Sequence, residues 1–446
     1  MRLKFIKLNY EIKIALTLFL FFFLLKLNQT SFEYTLIGNT YNLKFYVYDY
    51  LNFFFSKLSY IDFLVLILLL IPGIIISNLD TNFTNISIYL LYLFFFTPIF
   101  IFFLKIDINF FKTLTNKTIS LNQLDLYLLF FFLYLNLLLL IFFSKLKINF
   151  IIKPLIINEK TIKFLCFLFI LFLIFFSLLK IYLAVEKFDF DLSNFSVNKN
   201  SSFRGLLNGL YGRIYYISLF VVMPLYYLID KKKYELIFIS FIYLLLFILF
   251  QTKINLVLMI MIIFWSKSEL FNFEKLKHNF LKLILIGLAL TLIISLFLHQ
   301  KYQIHSSLYF ERIFLSQSKN LFLVYDFINL NDLIYLTHMS FLDYFYPYEL
   351  NFYDLIKKIY GGGSATSNSY IIDGLASFGM MGFFFVTLVF SLIFKIIDNQ
   401  INFNKSKFNL IYLIQIIGFL SFPLGTQFLT YGLGLTILLS MIKIQK

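Results

Sequence analysis

Charged residues are scarce in this chain. They make up 14% of its residues, while hydrophobic residues make up 61% and the mean hydropathy is +0.86. A soluble globular chain is about half apolar and about a quarter charged. This composition excludes a soluble enzyme or binding module and indicates an integral membrane protein. Because apolar segments recur from end to end, we expect one polytopic membrane domain over residues 1–446 and no separate soluble domain.

Cysteine is nearly absent. The single Cys166 lies in an apolar run, which excludes an intrachain disulfide and a cysteine-based metal cluster. The sequence also contains no P-loop and no HExxH motif, so neither an ATPase site nor a zinc site is expected. We therefore predict no metal and no cofactor. The basic start leads into a long apolar run without a cleavage site, which predicts a retained first helix.

Arginine is also scarce in this chain. It occupies only positions 2, 204, 213 and 312 in a chain with 38 Lys and Arg in total, a bias that we attribute to AT-rich coding. Lysines in cytoplasmic loops, which set topology and meet anionic lipid, explain the net charge of +15 without nucleic acid. Guanidinium groups form bidentate hydrogen bonds with phosphate oxygens. Arg204, Arg213 and Arg312 are thus predicted substrate-binding residues for a diphosphate or another anionic group; pairing with headgroups or nearby acids is the alternative.

Long apolar runs are what the chain has in abundance. Since a spanning helix needs roughly 20 apolar residues, we predict an all-α polytopic protein with about 12 transmembrane helices. The density of lysine in alternate loops predicts that both termini are cytoplasmic. The predicted spans are 12–27, 60–77, 84–104, 126–143, 163–183, 214–229, 234–250, 254–266, 281–299, 376–396, 409–422 and 425–442.

Two external loops are predicted to be long, at about 184–213 and about 300–375. Loops of this length are usually functional or disordered, and the apolar and aromatic content of the second argues against disorder. Its segments 309–329 and 333–345 mix apolar and polar residues, which predicts short interfacial helices on the membrane surface.

The end of the second loop, residues 360–382, is rich in glycine, serine and asparagine. Glycines permit positive φ and close backbone approach to a ligand. We predict that this stretch is the wall of a substrate site above a helix that begins near Ala376; a flexible hinge is the alternative. The predicted substrate-binding residues here are Gly362, Gly363, Ser364, Ser367, Asn368, Ser369 and Tyr370.

Three residues of the second loop are candidate general bases. His305 and His338 have the side chain best suited to take a proton from a sugar hydroxyl near neutral pH, and Asp373 lies nearest the following helix. An ordinary hydrogen-bonded loop histidine and a helix N-cap are the alternative interpretations. Lys253, between two apolar runs, is predicted to be either a hairpin-tip anchor or a further phosphate ligand.

These features together resemble a Wzy-type O-antigen or oligosaccharide repeat-unit polymerase. The resemblance rests on the helix count, the arginine-bearing external loops and the pattern G-x-S-x-x-S-N-S-Y-x-x-D-G over residues 362–374, continued by glycines to Gly382. An arginine followed eleven residues later by glycine, as found in some members, is absent here: Tyr215, Pro224 and Leu323 stand at those positions.

The resemblance implies a glycosyltransferase of the bacterial inner membrane that joins undecaprenyl-diphosphate-linked repeat units into O-antigen or capsule-like polysaccharide at the outer face. It also implies a chain-length regulator and a flippase as partners, besides membrane lipid. Two alternatives remain open. An O-antigen ligase would use a similar donor. A transporter of the same lipid-linked oligosaccharide would need charges within its helices, whereas the charges here cluster outside them.

Overall fold

The computed structural model describes residues 12–18, 60–79, 82–100, 122–146, 155–182, 207, 209–250, 252–267, 281, 285–286, 289–290, 316–335, 348, 352–360, 370–404, 409–419 and 430–445. These residues are almost entirely helical. The helices are α1 (Tyr60–Ser77), α2 (Phe83–Leu91), α3 (Gln123–Lys145), α4 (Glu159–Tyr182), α5 (Gly209–Ile217), α6 (Met223–Asp230), α7 (Lys233–Phe250), α8 (Lys253–Lys267), α9 (Ser316–Leu330), α10 (Phe352–Tyr360), α11 (Tyr370–Phe378), α12 (Met380–Asn404), α13 (Asn409–Phe419) and α14 (Leu433–Ser440). Two short strands, β1 (Leu155–Asn158) and β2 (Ile442–Gln445), complete the described elements.

Five helices in this part of the chain are long and apolar enough to cross a membrane: Leu124–Lys145, Glu159–Tyr182, Gly209–Asp230, Lys233–Phe250 and Met380–Gln400. The chain is therefore a helical membrane protein, as its composition predicts. These helices coincide with the predicted spans at 126–143, 163–183, 214–229, 234–250 and 376–396. The full set of about 12 spans and the cytoplasmic placement of both termini stay predictions.

Two helical segments, residues 83–100 and 209–230, contain a π turn just before a proline. The turn at Tyr92–Phe96 precedes Pro98, and the turn at Ser218–Val222 precedes Pro224 and joins α5 to α6. A proline inside a helix lacks an N–H and clashes with the carbonyl of the preceding turn. The π register makes room for the ring, since its hydrogen bonds span one residue more.

The missing N–H of Pro224 leaves one carbonyl of the π turn to be satisfied from another helix. Met223 N–H donates to Ser218 O, so the next bond of this register would run from position 224 to Leu219 O. Tyr243 of α7 supplies that bond instead, with its hydroxyl 2.5 Å from Leu219 O. Side chains of neighbouring helices are how membrane helices tolerate proline.

The described helices form two compact units, one from residues 1–146 and 274–391 and the other from residues 147–273 and 392–446. In the first, α1 packs on α2, with Tyr92 Oη donating to Leu69 O at 2.5 Å. Asn136 of α3 donates its amide to Phe383 O of α12 at 3.2 Å, and Thr387 Oγ1 donates back to Asn136 Oδ1. Such buried polar contacts fix neighbouring helices where lipid gives no hydrophobic drive.

The second unit contains the only sheet found in the described residues. β1 and β2 pair in parallel, with Leu155 opposite Ile442 and Asn158 opposite Gln445. The ammonium of Lys163, in the first turns of α4, contacts both Asp230 at the end of α6 and Glu235 at the start of α7. Sheet and ion cluster therefore lie at one end of this unit. The predicted all-α fold agrees with the helices but did not include this two-stranded sheet.

Three approximate boundaries differ from those in the structure. The predicted helix 425–442 is broken at Gly432, which has a φ of +84°, and Ile442 already belongs to β2. The helix expected to begin near Ala376 is preceded by α11, which begins at Tyr370. The predicted 184–213 loop ends early, because α5 begins at Gly209.

The second predicted loop differs in character from the expectation. α9 does form within the segment 309–329, but residues 320–327 are all buried. Eight consecutive positions cover more than two turns, so α9 is enclosed on every side there instead of lying on a membrane surface with one face exposed.

Candidate functional site

Most of the predicted site residues lie outside the described part of the chain. These are Arg204, Arg312, His305, His338, Gly362, Gly363, Ser364, Ser367, Asn368 and Ser369. The structure describes the helix positions of Tyr370, Asp373, Arg213 and Lys253. It brings the first two together in one helix of the first unit, and it places the other two on neighbouring helices of the second unit.

Tyr370 and Asp373 lie in α11, one turn apart, and not in a loop as predicted. Tyr370, Asp373, Gly374 and Ser377 have the spacing that places side chains on one side of a helix, and all four are buried. We call these four residues the polar face of α11. Asp373 is in the first turn of the helix, where the helix dipole favours a negative charge.

The glycines of this region serve close helix packing. A Cβ added at Gly382 of α12 would lie 1.8 Å from Gly374 O, and one added at Gly374 would lie 2.6 Å from Gly382 O. Gly379, between the two helices, has a φ of +61°. Backbone contact and a left-handed turn both require glycine. The interpretation of Gly382 as part of a ligand-facing wall is therefore replaced by a tight hairpin of α11 and α12.

Two hydroxyls of the polar face lack a well-formed hydrogen bond among the described residues, although Thr387 of α12 is close enough to interact with one of them, Tyr370 Oη. They are Tyr370 Oη and Ser377 Oγ, both in side chains enclosed by protein. The Tyr370 ring stacks on Phe390 of α12, with ring centroids 4.0 Å apart and planes 5° from parallel. An unsatisfied buried hydroxyl costs about 1–3 kcal/mol, and groups of this kind require an explanation such as a bound ligand or water.

Neighbouring helices add a second buried acid. Asp326 of α9 accepts a hydrogen bond from Tyr360 Oη of α10 at 2.7 Å. Burial, reinforced by Asp326, raises the pKa of Tyr360, so its hydroxyl stays protonated and donates. The chain after α9 is tied to α11, because Ile334 N–H donates to Ala376 O at 3.1 Å. α9 thus packs against both α10 and α11.

In the second unit, Arg213 lies in the middle of α5, with a half-buried side chain, and Lys253 is the first residue of α8. A buried polar network connects the two helices. Tyr215 Oη lies 3.0 Å from Thr252 Oγ1, and Asn255 Nδ2 donates to Tyr215 Oη at 2.7 Å. This network orients the start of α8 relative to α5.

A second tyrosine extends the network to α4. Tyr211 Oη lies 2.7 Å from Ser177 Oγ, and the ammonium of Lys180 lies 5.1 Å from the centroid of the Tyr211 ring. Sequence reasoning missed Lys180, Tyr211, Tyr215 and Asn255. The available signal was the presence of hydroxyl and amide side chains in otherwise apolar helices, which in a membrane must find partners.

Ser377 was not among the predicted site residues, although it lies within the 360–382 stretch; its spacing of seven residues from Tyr370 was the usable signal. In the described part of the chain, no cluster of three or more His, Cys, Asp or Glu side chains could hold a metal ion. No protein-family model, curated protein or solved structure matches this chain.

Proposed function

We propose that this chain is a Wzy-type polymerase. In this proposal it joins undecaprenyl-diphosphate-linked oligosaccharide repeat units into O-antigen or capsule-like polysaccharide at the outer face of the bacterial inner membrane. The observation that carries the proposal is the polar face of α11, at the end of the serine- and asparagine-rich stretch. There the buried carboxyl group of Asp373 lies between the Tyr370 hydroxyl and the Ser377 hydroxyl, and the latter has no hydrogen-bond partner among the described residues. A polar face of this kind beside an apolar spanning helix suits a sugar substrate held next to lipid.

The proposed reaction uses Asp373 as general base. The acceptor hydroxyl oxygen forms a bond to the anomeric carbon of the donor, the bond from that carbon to the diphosphate breaks, and Asp373 takes the hydroxyl proton. The lipid diphosphate leaves with the bonding electron pair. Arg312 is the proposed ligand of the leaving diphosphate, since a guanidinium group stabilises the charge that develops there.

Other residues have supporting roles in the proposal. The acceptor enters at the amino-terminal end of α11, past Ser367, Asn368 and Ser369, and the hydroxyls of Tyr370 and Ser377 bind sugar hydroxyls or a water that bridges to them. His305 and His338 remain alternative bases.

Substitution of the proposed base tests the proposal. In a host whose own gene is deleted, we expect glycolipid with a single repeat unit, and polymer should return with the wild-type chain. Asp373→Asn should lower polymer formation about 100-fold or more, since general base catalysis contributes about 10²–10⁴-fold. Surface glycolipid is separated by length on gels, and the amount of inserted protein is measured by immunoblot.

Asp332→Asn is the matched control, because Asp332 is an exposed carboxylate shortly after α9. It should leave the polymer unchanged. Full-length polymer from Asp373→Asn would remove the role of Asp373. Loss of every surface repeat in the deletion host, in place of single-repeat glycolipid, would contradict the polymerase proposal itself and indicate a ligase or a transporter.

A further inference from the structure

The end of the second unit that carries the sheet has a one-sided charge distribution. Its segments 155–163, 230–235 and 442–445 contain six lysines and three acids. Five of the lysines are exposed: Lys160, Lys231, Lys232, Lys233 and Lys443. Among the acids, Glu159 and Asp230 are half-buried and Glu235 is buried. The exposed charges of these segments are therefore all positive.

Two of the three acids at this end are already engaged within the protein. Asp230 and Glu235 both contact Lys163, and Lys232 lies 3.3 Å from Asp230. The positive charge of Lys160, Lys233 and Lys443 is thus not balanced by the carboxylates of this cluster. An anion from outside the chain is the natural counter-charge.

Exposed apolar side chains lie among these lysines. Leu155 and Ile156 of β1 are 62% and 63% exposed, and Tyr234 and Ile237 of α7 are 61% and 69% exposed. Exposed aliphatic and aromatic groups beside lysines are the combination that binds the boundary between headgroups and acyl chains.

Helix length places this surface at that boundary. α4 has 24 residues, so it is about 36 Å long at about 1.5 Å per residue, against a hydrocarbon core of about 30 Å. Phe164, Leu165, Leu168 and Phe172 continue its exposed apolar surface directly from Lys160. If α4 spans the bilayer, its first turn and the sheet beside it lie among headgroups, which favours a lipid over a soluble protein as the occupant.

We propose that Lys160, Lys233 and Lys443, together with Leu155 and Ile156, form a binding surface for anionic phospholipid headgroups. The lysines bind the phosphate groups, and the aliphatic side chains of β1 insert beside the upper acyl chains. Because β2 supplies Lys443 and β1 supplies the apolar groups, the sheet holds both halves of this lipid surface together. The surface is independent of the polymerase proposal.

The test uses the full-length protein purified in neutral detergent, with phosphatidylglycerol or phosphatidylcholine added, and counts retained lipids by native mass spectrometry. Wild-type protein should retain phosphatidylglycerol in preference to phosphatidylcholine. The triple variant Lys160→Gln, Lys233→Gln, Lys443→Gln should lose about fivefold in affinity per lysine, or roughly 100-fold in total, and lose the preference. Raising the salt concentration should weaken binding to the wild type more than to the variant.

The control variant carries the same loss of charge in the predicted external loops, as Lys187→Gln, Lys199→Gln and Lys301→Gln, and should bind as the wild type does. Thermal unfolding without added lipid checks that both variants are folded. Lys231 and Lys232 are left unchanged, because Lys231 has a φ of +55° at the end of α6 and Lys232 pairs with Asp230. Equal retention of phosphatidylglycerol by the wild type and the triple variant would overturn the proposal.

Discussion

Single residues set the closest contact described in the first unit. The backbones of α11 and α12 touch at Gly374 and Gly382, next to the buried side chains of Asp373, Tyr370 and Ser377. Any side chain at these glycines would separate the helices and move the polar face. The spacing of small residues therefore controls the geometry around Asp373, although the glycines themselves bear no reactive group.

We expect Gly382→Ala to destabilise the protein by about 1–3 kcal/mol or more, because the added methyl would lie 1.8 Å from Gly374 O. The neighbouring Met381→Ala is the matched control, since Met381 is 69% exposed and should change stability by about 0.5 kcal/mol at most. Both are measured by unfolding in mixed micelles with increasing sodium dodecyl sulfate. Equal stability of the two variants would mean that the helices do not touch at this point.

The candidate site could be predicted only in part from the sequence. Asp373 and Tyr370 were identified by residue type, but their helix was not, because glycine and serine have low helix propensity and tertiary packing overrides that preference. The helix positions of Arg213 and Lys253 were close to expectation. The Tyr215–Asn255 pairing joins helices far apart in the sequence, and no local pattern encodes it.

At the scale of elements, the ends of α4, α6 and α7 meet at one lysine. Lys163 reaches from α4 to Asp230 and Glu235, and the side chain of Glu235 is completely buried. Removing one partner of a buried ion pair leaves the other charge without compensation, which costs far more than the pair itself contributes. The cluster thus fixes the relative position of three helix ends.

Lys163→Met should therefore lower the free energy of unfolding by about 3–5 kcal/mol. Lys160→Met, three residues earlier on an exposed position, should change it by about 0.5 kcal/mol at most. Adding Glu235→Leu to Lys163→Met should recover much of the loss, since the uncompensated charge is then gone. No recovery in the double variant, measured by the same detergent titration, would contradict the charge argument.

Long apolar helices were the elements best predicted from sequence, since hydropathy over about 20 residues is a strong local signal. The predicted span at 60–77 has the same bounds as α1. The strands were missed because four residues carry little pattern, and each depends on a distant partner. The helices of the 300–375 loop were located only in part. They are buried against one another, and this burial is not visible as a one-sided apolar periodicity in their own sequences.

At the scale of the whole molecule, the pairing of β1 with β2 constrains the membrane topology of the chain. Ile156 lies opposite Lys443, so the segment between α3 and α4 and the segment after α14 are on the same side of the membrane. The sequence assigns both to the cytoplasm by their lysine content, and the pairing agrees with a common side without saying which one.

A cysteine pair tests this arrangement. In a Cys166→Ala background, Ile156→Cys with Lys443→Cys should form a disulfide under mild oxidation, because paired strand residues lie within disulfide reach. A protease site inserted into the 300–375 loop then shows whether the two fragments stay linked on a non-reducing gel. Lys199→Cys with Lys443→Cys, predicted to lie on opposite sides of the membrane, should not link. Linkage of the second pair alone would contradict the strand pairing.

The split composition of the second unit has a consequence for biosynthesis. Its first part, residues 147–273, is synthesised long before residues 392–446, and the intervening chain belongs to the first unit. β1 must therefore remain unpaired while the chain of the other unit is synthesised. Long-range pairing of this kind is slow and leaves exposed edges open to wrong partners in the meantime. The pace of translation through residues 274–391 thus sets how long the half-built second unit depends on insertion factors and chaperones.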